Sequence, residues 1–253
     1  MSQIIPFPQH RRHTWFFLDH ARSNAPILLD TEIDMSRIQA LRARYKAHGP
    51  SPSYISFLIH AISQVVAQHP QANSSVKDGW SPSIIRYERV VAKFTLDKTG
   101  FGERMVLSAL IADSNQKSVP QIQADIERYK AATYENSSEF AAVKKLNSVP
   151  FRLGRMLYGM VLGKLAKRQE IQGSFTITSL GHSRVQGFFP ISSTTLAFGV
   201  GAIRDAAVVV DGQIVVRPMM RLSMVFDHRA LDGALAADIL HQIGSAIEQF
   251  PDQ

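Results

Sequence analysis

Residues 226–234 read F-D-H-R-A-L-D-G-A and place His228 four residues before Asp232 and five before Gly233. The run before them, residues 219–226, is apolar and alternating. Leu222, Met224 and Phe226 fall on one side, and Arg221, Ser223 and Val225 on the other, which is the period of a strand. After them Ala236, Leu240, Ile243, Ile247 and Phe250 recur at three- and four-residue steps, the period of one helix face. The stretch is therefore a strand-to-helix corner. Asp232 stands where an N-cap belongs, and Gly233 lets backbone or ligand come close. An imidazole at such a corner can serve as a general base. The same residues are also explained without chemistry, by a capping Asp232 and a polar strand end at His228. A bare H-x-x-x-D-G leaves both readings open.

Outward from the corner, strand patterns alternate with helix patterns. Strands are expected at residues 27–33, 90–96, 105–112, 174–178, 194–202, 206–210 and 213–224, with 90–96 and 105–112 paired. Helices are expected near residues 35–45, 52–70 and 119–134. The turn H-G-P-S-P at 48–52 separates the first two helices. This order suits a mixed sheet with helices packed on it.

At 253 residues the chain is long enough to bury a large core as one domain, 1–253. It has no cysteine, which removes disulfides, a thiol nucleophile and thiolate metal sites. No His, Asp or Glu cluster shows metal-ligand spacing. No apolar run is long enough to span a bilayer, and the N-terminus lacks the apolar core of a signal peptide, so a cytoplasmic location is expected. Lys and Arg number 28 against 21 Asp and Glu, a net charge of +7. Such a surplus favours phosphate-bearing or acidic partners, although spread evenly it serves only solubility. Zinc spacing, an RNP box and a helix-turn-helix signal are all missing, which argues against nucleic acid.

The motif D-H-R-A-L-D-G-A resembles the signature of the dihydrolipoamide acyltransferases, the catalytic cores of the 2-oxo acid dehydrogenase complexes. Their relative chloramphenicol acetyltransferase carries the shorter H-x-x-x-D-G. G-S-F-T-I-T-S-L-G at 173–181 is similar to the family's second hallmark, and T-L-A-F-G-V-G-A at 195–202 to the strand that follows it. P-S-Y-I-S-F-L-I-H-A-I-S-Q-V-V-A-Q-H-P at 52–70 looks like the family's first long helix, and I-A-D-S-N-Q-K-S-V at 111–119 follows in order. The resemblance implies a two-layer α/β fold of the chloramphenicol acetyltransferase kind. It implies an acyltransferase using CoA or acyl-CoA as co-substrate, with no covalently bound cofactor. His228 would be the general base, and Thr178 the hydroxyl that meets the oxyanion. Asp232 would orient the site, paired with an arginine near the N-terminus; Arg11 is the best positional match and Arg12 stands beside it. No G-x-S-x-G elbow is present, so direct transfer is expected rather than an acyl-enzyme. In this family His and Ser/Thr come from neighbouring subunits, which implies a homotrimer or a larger assembly.

The chain departs from the family pattern in two ways. First, it carries neither a lipoyl nor a subunit-binding domain, so the expected protein is free-standing and serves a separate carrier, with an acidic carrier protein as one candidate. Asp97-Lys98 resembles a lipoylated D-K pair, but F-T-L-D-K-T-G reads as part of the sheet. Second, residues 136–170 form an atypical insert. Within it, 151–168 reads as one apolar, cationic helix: Leu153, Met156, Leu157, Met160, Val161 and Leu165 beside Arg152, Arg155, Lys164, Lys167 and Arg168. It is expected to pack beside the acyl channel or a subunit contact. Two other functions stay in view: a non-catalytic scaffold of the same fold, and a binding protein held on a membrane surface by this helix.

Overall fold

The structure is a computed structural model, and it describes residues 4–252. The elements, in chain order, are α1 (Arg12–Ala21), β1 (Pro26–Asp34), α2 (Ser36–His48), α3 (Tyr54–Gln68), β2 (Ser74–Lys77), β3 (Ser83–Arg86), β4 (Ala92–Gly100) and β5 (Glu103–Ile111). There follow α4 (Val119–Ala131), α5 (Ala141–Ser148), α6 (Phe151–Leu162), α7 (Leu165–Gln172), β6 (Phe175–Ser179), β7 (Leu196–Val200), β8 (Arg204–Val210), β9 (Gln213–Asp227) and α8 (Gly233–Glu248).

Seven strands form one mixed sheet in the order β1-β9-β7-β6-β4-β5, with β8 paired to the first half of β9. β6 runs parallel to both β4 and β7, and the remaining pairs are antiparallel. Register puts Phe94, Ile177, Phe198 and Met224 in one row across four strands, all buried. On that face lie α3 and α8, which contribute Phe57, Leu58, Ile62, Ile239, Ile243 and Ile247 to the same core. Burying each such side chain stabilises the fold by roughly 1.5–3 kcal/mol. This face explains why both helices are apolar over most of their surface.

The opposite face is different in kind. Its central row is Leu28, Val225, Ala197, Thr176 and Lys93. At the β4 end it is covered by α1, whose Phe17 ring lies 5.3 Å from the Lys93 ammonium. The glycines of the G-V-G run let a chain segment lie directly on this face. A Cβ on Gly199 would stand 2.1 Å from the Phe188 carbonyl, and one on Gly201 1.9 Å from that of Gln186. Only a residue without Cβ permits that approach.

The expected strands and helices are present, with shifts at their ends. The strand expected at 213–224 runs on to Asp227. The hairpin of β2 and β3 and the N-terminal helix α1 were not read from the sequence. The inserted segment needs correction. It is not one helix over 151–168 but two, broken where Lys164 takes an extended conformation. Arg168 does not belong to an exposed cationic side. It is 7% exposed and donates from Nε to the Leu162 carbonyl at 2.7 Å and from Nη1 to the Val76 carbonyl at 2.6 Å. It thereby satisfies a carbonyl that the end of α6 leaves free. Arg155 is also engaged, donating to Asp19 at 3.0 Å and lying over the Trp15 ring. The Phe151 ring packs 4.8 Å from Trp15 and 5.1 Å from Phe16, which ties the segment to α1. Leu153, Met156, Leu157, Met160 and Val161 face outward. Among the described residues no helix is long and apolar enough to cross a membrane.

Candidate functional site

His228 sits one residue beyond β9, at a corner bonded from several directions. The Asp227 amide donates to the Thr195 carbonyl at 3.0 Å, and the His228 amide to the Ala25 carbonyl at 2.8 Å. The Ala230 and Leu231 amides turn back onto the Asp227 carbonyl at 2.9 and 3.2 Å, and Leu231 is buried as an anchor. The imidazole Nδ1 lies 2.9 Å from the Leu231 carbonyl oxygen. A carbonyl only accepts, so Nδ1 carries the proton, and the neutral ring keeps its lone pair on Nε2. The side chain is 47% exposed, so that nitrogen can be reached.

Below the imidazole is a charge clamp. Asp227 is 5% exposed, and both of its oxygens accept from Arg229: Oδ1 from Nε at 2.9 Å and Oδ2 from Nη2 at 2.5 Å. Asp227 Oδ1 also accepts the Ala25 amide at 3.3 Å and the Arg229 amide at 3.1 Å. Arg229 reaches further, from Nη1 to Asp78 at 2.6 Å and from Nη2 to the Asn24 side-chain oxygen at 3.0 Å. One guanidinium thus joins the end of α1, the β2–β3 hairpin and the end of β9 around His228.

Asp232 stands at the N-cap position of α8, but its side chain caps nothing and is 94% exposed. Its carboxylate lies 4.0 Å from Nδ1 of His228. The pair expected between Asp232 and Arg11 is not formed. Among the described residues neither Arg11 nor Arg12 bridges Asp232. Arg12 is held elsewhere by the inserted segment, donating to the Asn147 carbonyl at 3.1 Å and to that of Val149 at 3.0 Å. The carboxylate and guanidinium that do pair at this corner are those of Asp227 and Arg229.

Thr178 lies on β6, half-buried, on the face opposite the α3–α8 core. The chain does not bring it to its own His228. Thr178 pairs with Gly199, which pairs with Ser223, and His228 is five residues beyond Ser223. Two strand spacings of ~4.8 Å and five residues at ~3.3 Å put the two Cα atoms about 19 Å apart.

Another basic group lies on the same sheet face, three strands away from Val225. Lys93 is buried and its amine donates to the Gln172 side-chain oxygen at 2.8 Å; among the described residues no carboxylate bridges it. Burial pushes the Lys93 ammonium down to about 7. Burial, reinforced by Arg168, Arg229 and Lys93, pushes His20 down to about 4. In the unfolded chain a lysine titrates near ~10.4. Between these two values the unfolded state binds a proton that the folded state lacks, so stability rises with pH from about 7 toward 10. Lys93→Met is therefore expected to raise stability at pH 7 and flatten that rise. Urea unfolding at pH 6 to 10 checks this, and equal slopes in both proteins would refute it.

The sequence singled out His228, Asp232 and Thr178 and passed over Asp227, Arg229 and Lys93. The signal for the first two was available, because D-H-R places opposite charges on either side of the histidine. For Lys93 it was a lone charge in the apolar run V-V-A-K-F. Among the described residues no three His, Asp or Glu side chains gather as a metal site.

The chain is similar to known proteins over most of its length. The family profile "2-oxoacid dehydrogenases acyltransferase (catalytic domain)" matches residues 2–146 and 159–252, leaving out the part of the insert where α6 begins. The chain is 28% identical over 239 residues to the dihydrolipoyllysine-residue succinyltransferase component of the 2-oxoglutarate dehydrogenase complex of Bartonella vinsonii subsp. berkhoffii, covering 91% of this chain and 50% of that protein. It is 26% identical over 233 residues to the dihydrolipoyllysine-residue acetyltransferase component of the pyruvate dehydrogenase complex of Bacillus subtilis (strain 168), covering 88% and 45%. The chain spans about half the length of the curated relatives it matches. Its fold is similar to that of a probable dihydrolipoamide acetyltransferase from Listeria monocytogenes, with a TM-score of 0.74, 20% identity and coverage of 100% and 97%. A chloramphenicol acetyltransferase shares the fold at a TM-score of 0.50 and 14% identity, with both chains covered in full. The chain belongs to the 2-oxoacid dehydrogenases acyltransferase (catalytic domain) family.

Proposed function

We propose that this chain transfers an acyl group between coenzyme A and an acceptor thiol, hydroxyl or amine, directly and without an acyl-enzyme. The observation that carries the reading is the locked imidazole of His228. Its Nδ1–H is committed to the Leu231 carbonyl, so the exposed Nε2 is the basic atom. Nε2 takes the proton of the attacking thiol as its sulfur adds to the thioester carbonyl. The tetrahedral oxyanion accepts a hydrogen bond from the Thr178 hydroxyl. Collapse expels the second thiolate, which recovers the proton from His228. Relatives named for a dihydrolipoyllysine residue support a lipoyl-type dithiol as the other substrate. The net charge of +7 suits the phosphates of coenzyme A and an acidic carrier.

His228 and Thr178 are too far apart in one chain to act on one carbonyl, so the working site pairs His228 of one subunit with Thr178 of the next. A homotrimer is the smallest assembly that the family resemblance implies. The β8–β9 hairpin, with Val209, Ile214 and Val216 exposed, supports a contact between copies. Asp232 then acts by orienting the His228 corner.

Thr178→Ala is expected to lower kcat by about 100-fold or more with little change in KM, and Thr178→Ser to be mild. The site between subunits is tested by co-expressing His228→Ala chains with Thr178→Ala chains. Mixed assemblies contain some sites with both residues intact and should recover activity that neither variant has alone. No recovery in verified mixed assemblies would place the site within one chain and overturn the arrangement.

A further inference from the structure

A cleft of about 190 Å3 opens on the second sheet face at the His228 end. Val225 on β9 lies at its floor, and Leu28, paired with it on β1, stands at its edge. Phe189, Pro190 and Ile191 form the far wall. That wall belongs to the segment which Gly199 and Gly201 allow onto the sheet. The cleft is continuous with the catalytic corner. Asp227, which lines it, precedes His228, and Pro26, which also lines it, follows the residue whose carbonyl holds the His228 amide.

Asn24, Ser192 and Asp227 are the polar residues of the wall, and each is already engaged. The Asn24 amide nitrogen donates to the Ser192 carbonyl at 2.9 Å, and its oxygen accepts from Arg229 at 3.0 Å. The Ser192 hydroxyl donates to the Thr194 carbonyl at 2.7 Å. Both Asp227 oxygens are taken by Arg229. The wall therefore presents hydrocarbon to a ligand, and its charged member is a carboxylate.

We infer that this cleft receives the acyl group, and that the group is a short uncharged hydrocarbon chain rather than one ending in a carboxylate. The inference rests on the acyltransferase reading above. A volume of about 190 Å3 is below the roughly 300–1,000 Å3 that encloses a drug-sized ligand, so the cleft takes a small group and not the body of coenzyme A. A carboxylate placed there would lose its water and gain no free donor. That penalty exceeds the cost of a missing or extra methylene. Leu28 and Ile191 stand open at the rim, 53% and 63% exposed, and so set the chain length admitted.

The test is kcat/KM of the full chain with acetyl-, butyryl-, isobutyryl- and succinyl-CoA and dihydrolipoamide as acceptor, alongside calorimetric titration of the same thioesters. Butyryl- or isobutyryl-CoA is expected to exceed succinyl-CoA by at least about 100-fold. Leu28→Arg, by supplying a cation at the rim, is expected to narrow that gap. Succinyl-CoA used as well as butyryl-CoA would overturn the inference and leave the acyltransferase reading standing. If none of the thioesters turns over, the acyltransferase reading fails, and equal binding of butyryl- and succinyl-CoA then overturns the inference separately. Sedimentation of Ile191→Ser reads the remaining occupant, a second copy of the chain. Loss of the oligomer with an unchanged butyryl-to-succinyl ratio would assign the cleft to a subunit contact and overturn the inference.

Discussion

Replacing His228 with alanine is expected to reduce turnover by about two to four orders of magnitude, the range for loss of a general base. The fold should survive. The imidazole is 47% exposed, and the backbone bonds that hold the corner run through the Asp227, His228 and Leu231 main chain, which the substitution leaves in place. Stability measured by urea unfolding should stay close to that of the parent while kcat falls. The effect should appear in kcat more than in KM, because the proton is taken in the transition state rather than on binding. An alanine variant that retains full turnover would remove His228 from the mechanism.

Arg229→Met is expected to give the largest loss of stability, about 3 kcal/mol or more, because it strands the buried Asp227 carboxylate without its partner. Activity should fall with it even though His228 is intact, since Asp227 also holds the Ala25 amide, and Ala25 holds the His228 amide. Arg229→Lys keeps the charge but cannot reach Asp227, Asp78 and Asn24 together, so it should fall between the two. Asp78→Asn removes an exposed contact and should shift stability by less than about 1 kcal/mol. Equal unfolding midpoints for Arg229→Met and the parent would show that the clamp does not hold the corner.

The strand-to-helix corner was legible because hydrophobic periodicity is local: β9 alternates at period two, α8 repeats at three and four, and the change falls between Asp227 and Gly233. The paired strands β4 and β5 were legible for the same reason, and Leu96 does face Leu107. The inserted segment was only half legible. Its helicity follows from the repeat of Leu153, Met156, Leu157, Met160 and Val161. The break before Leu165 and the burial of Arg168 depend on two carbonyls, one of them on β2, at residue 76, far away in sequence.

The sequence by itself determined the elements of the sheet, the corner that carries His228 and the family motifs around it, because each rests on residues a few positions apart. Only the tertiary structure decided how charges and hydroxyls meet across the fold. Pairing Asp232 with Arg11 was reasonable from motif position. In three dimensions the inserted segment takes Arg12 for its own carbonyls, and Arg229 meets Asp227 instead. Register alone shows Thr178 and His228 on the same sheet yet about 19 Å apart. The close approach of residues 186–190 to Gly199 and Gly201, which builds the apolar wall beside the His228 corner, is likewise a contact between strands and loops distant in the chain. Hydrophobic period reports which face of an element is buried; which residue waits on that face is settled by how the elements pack.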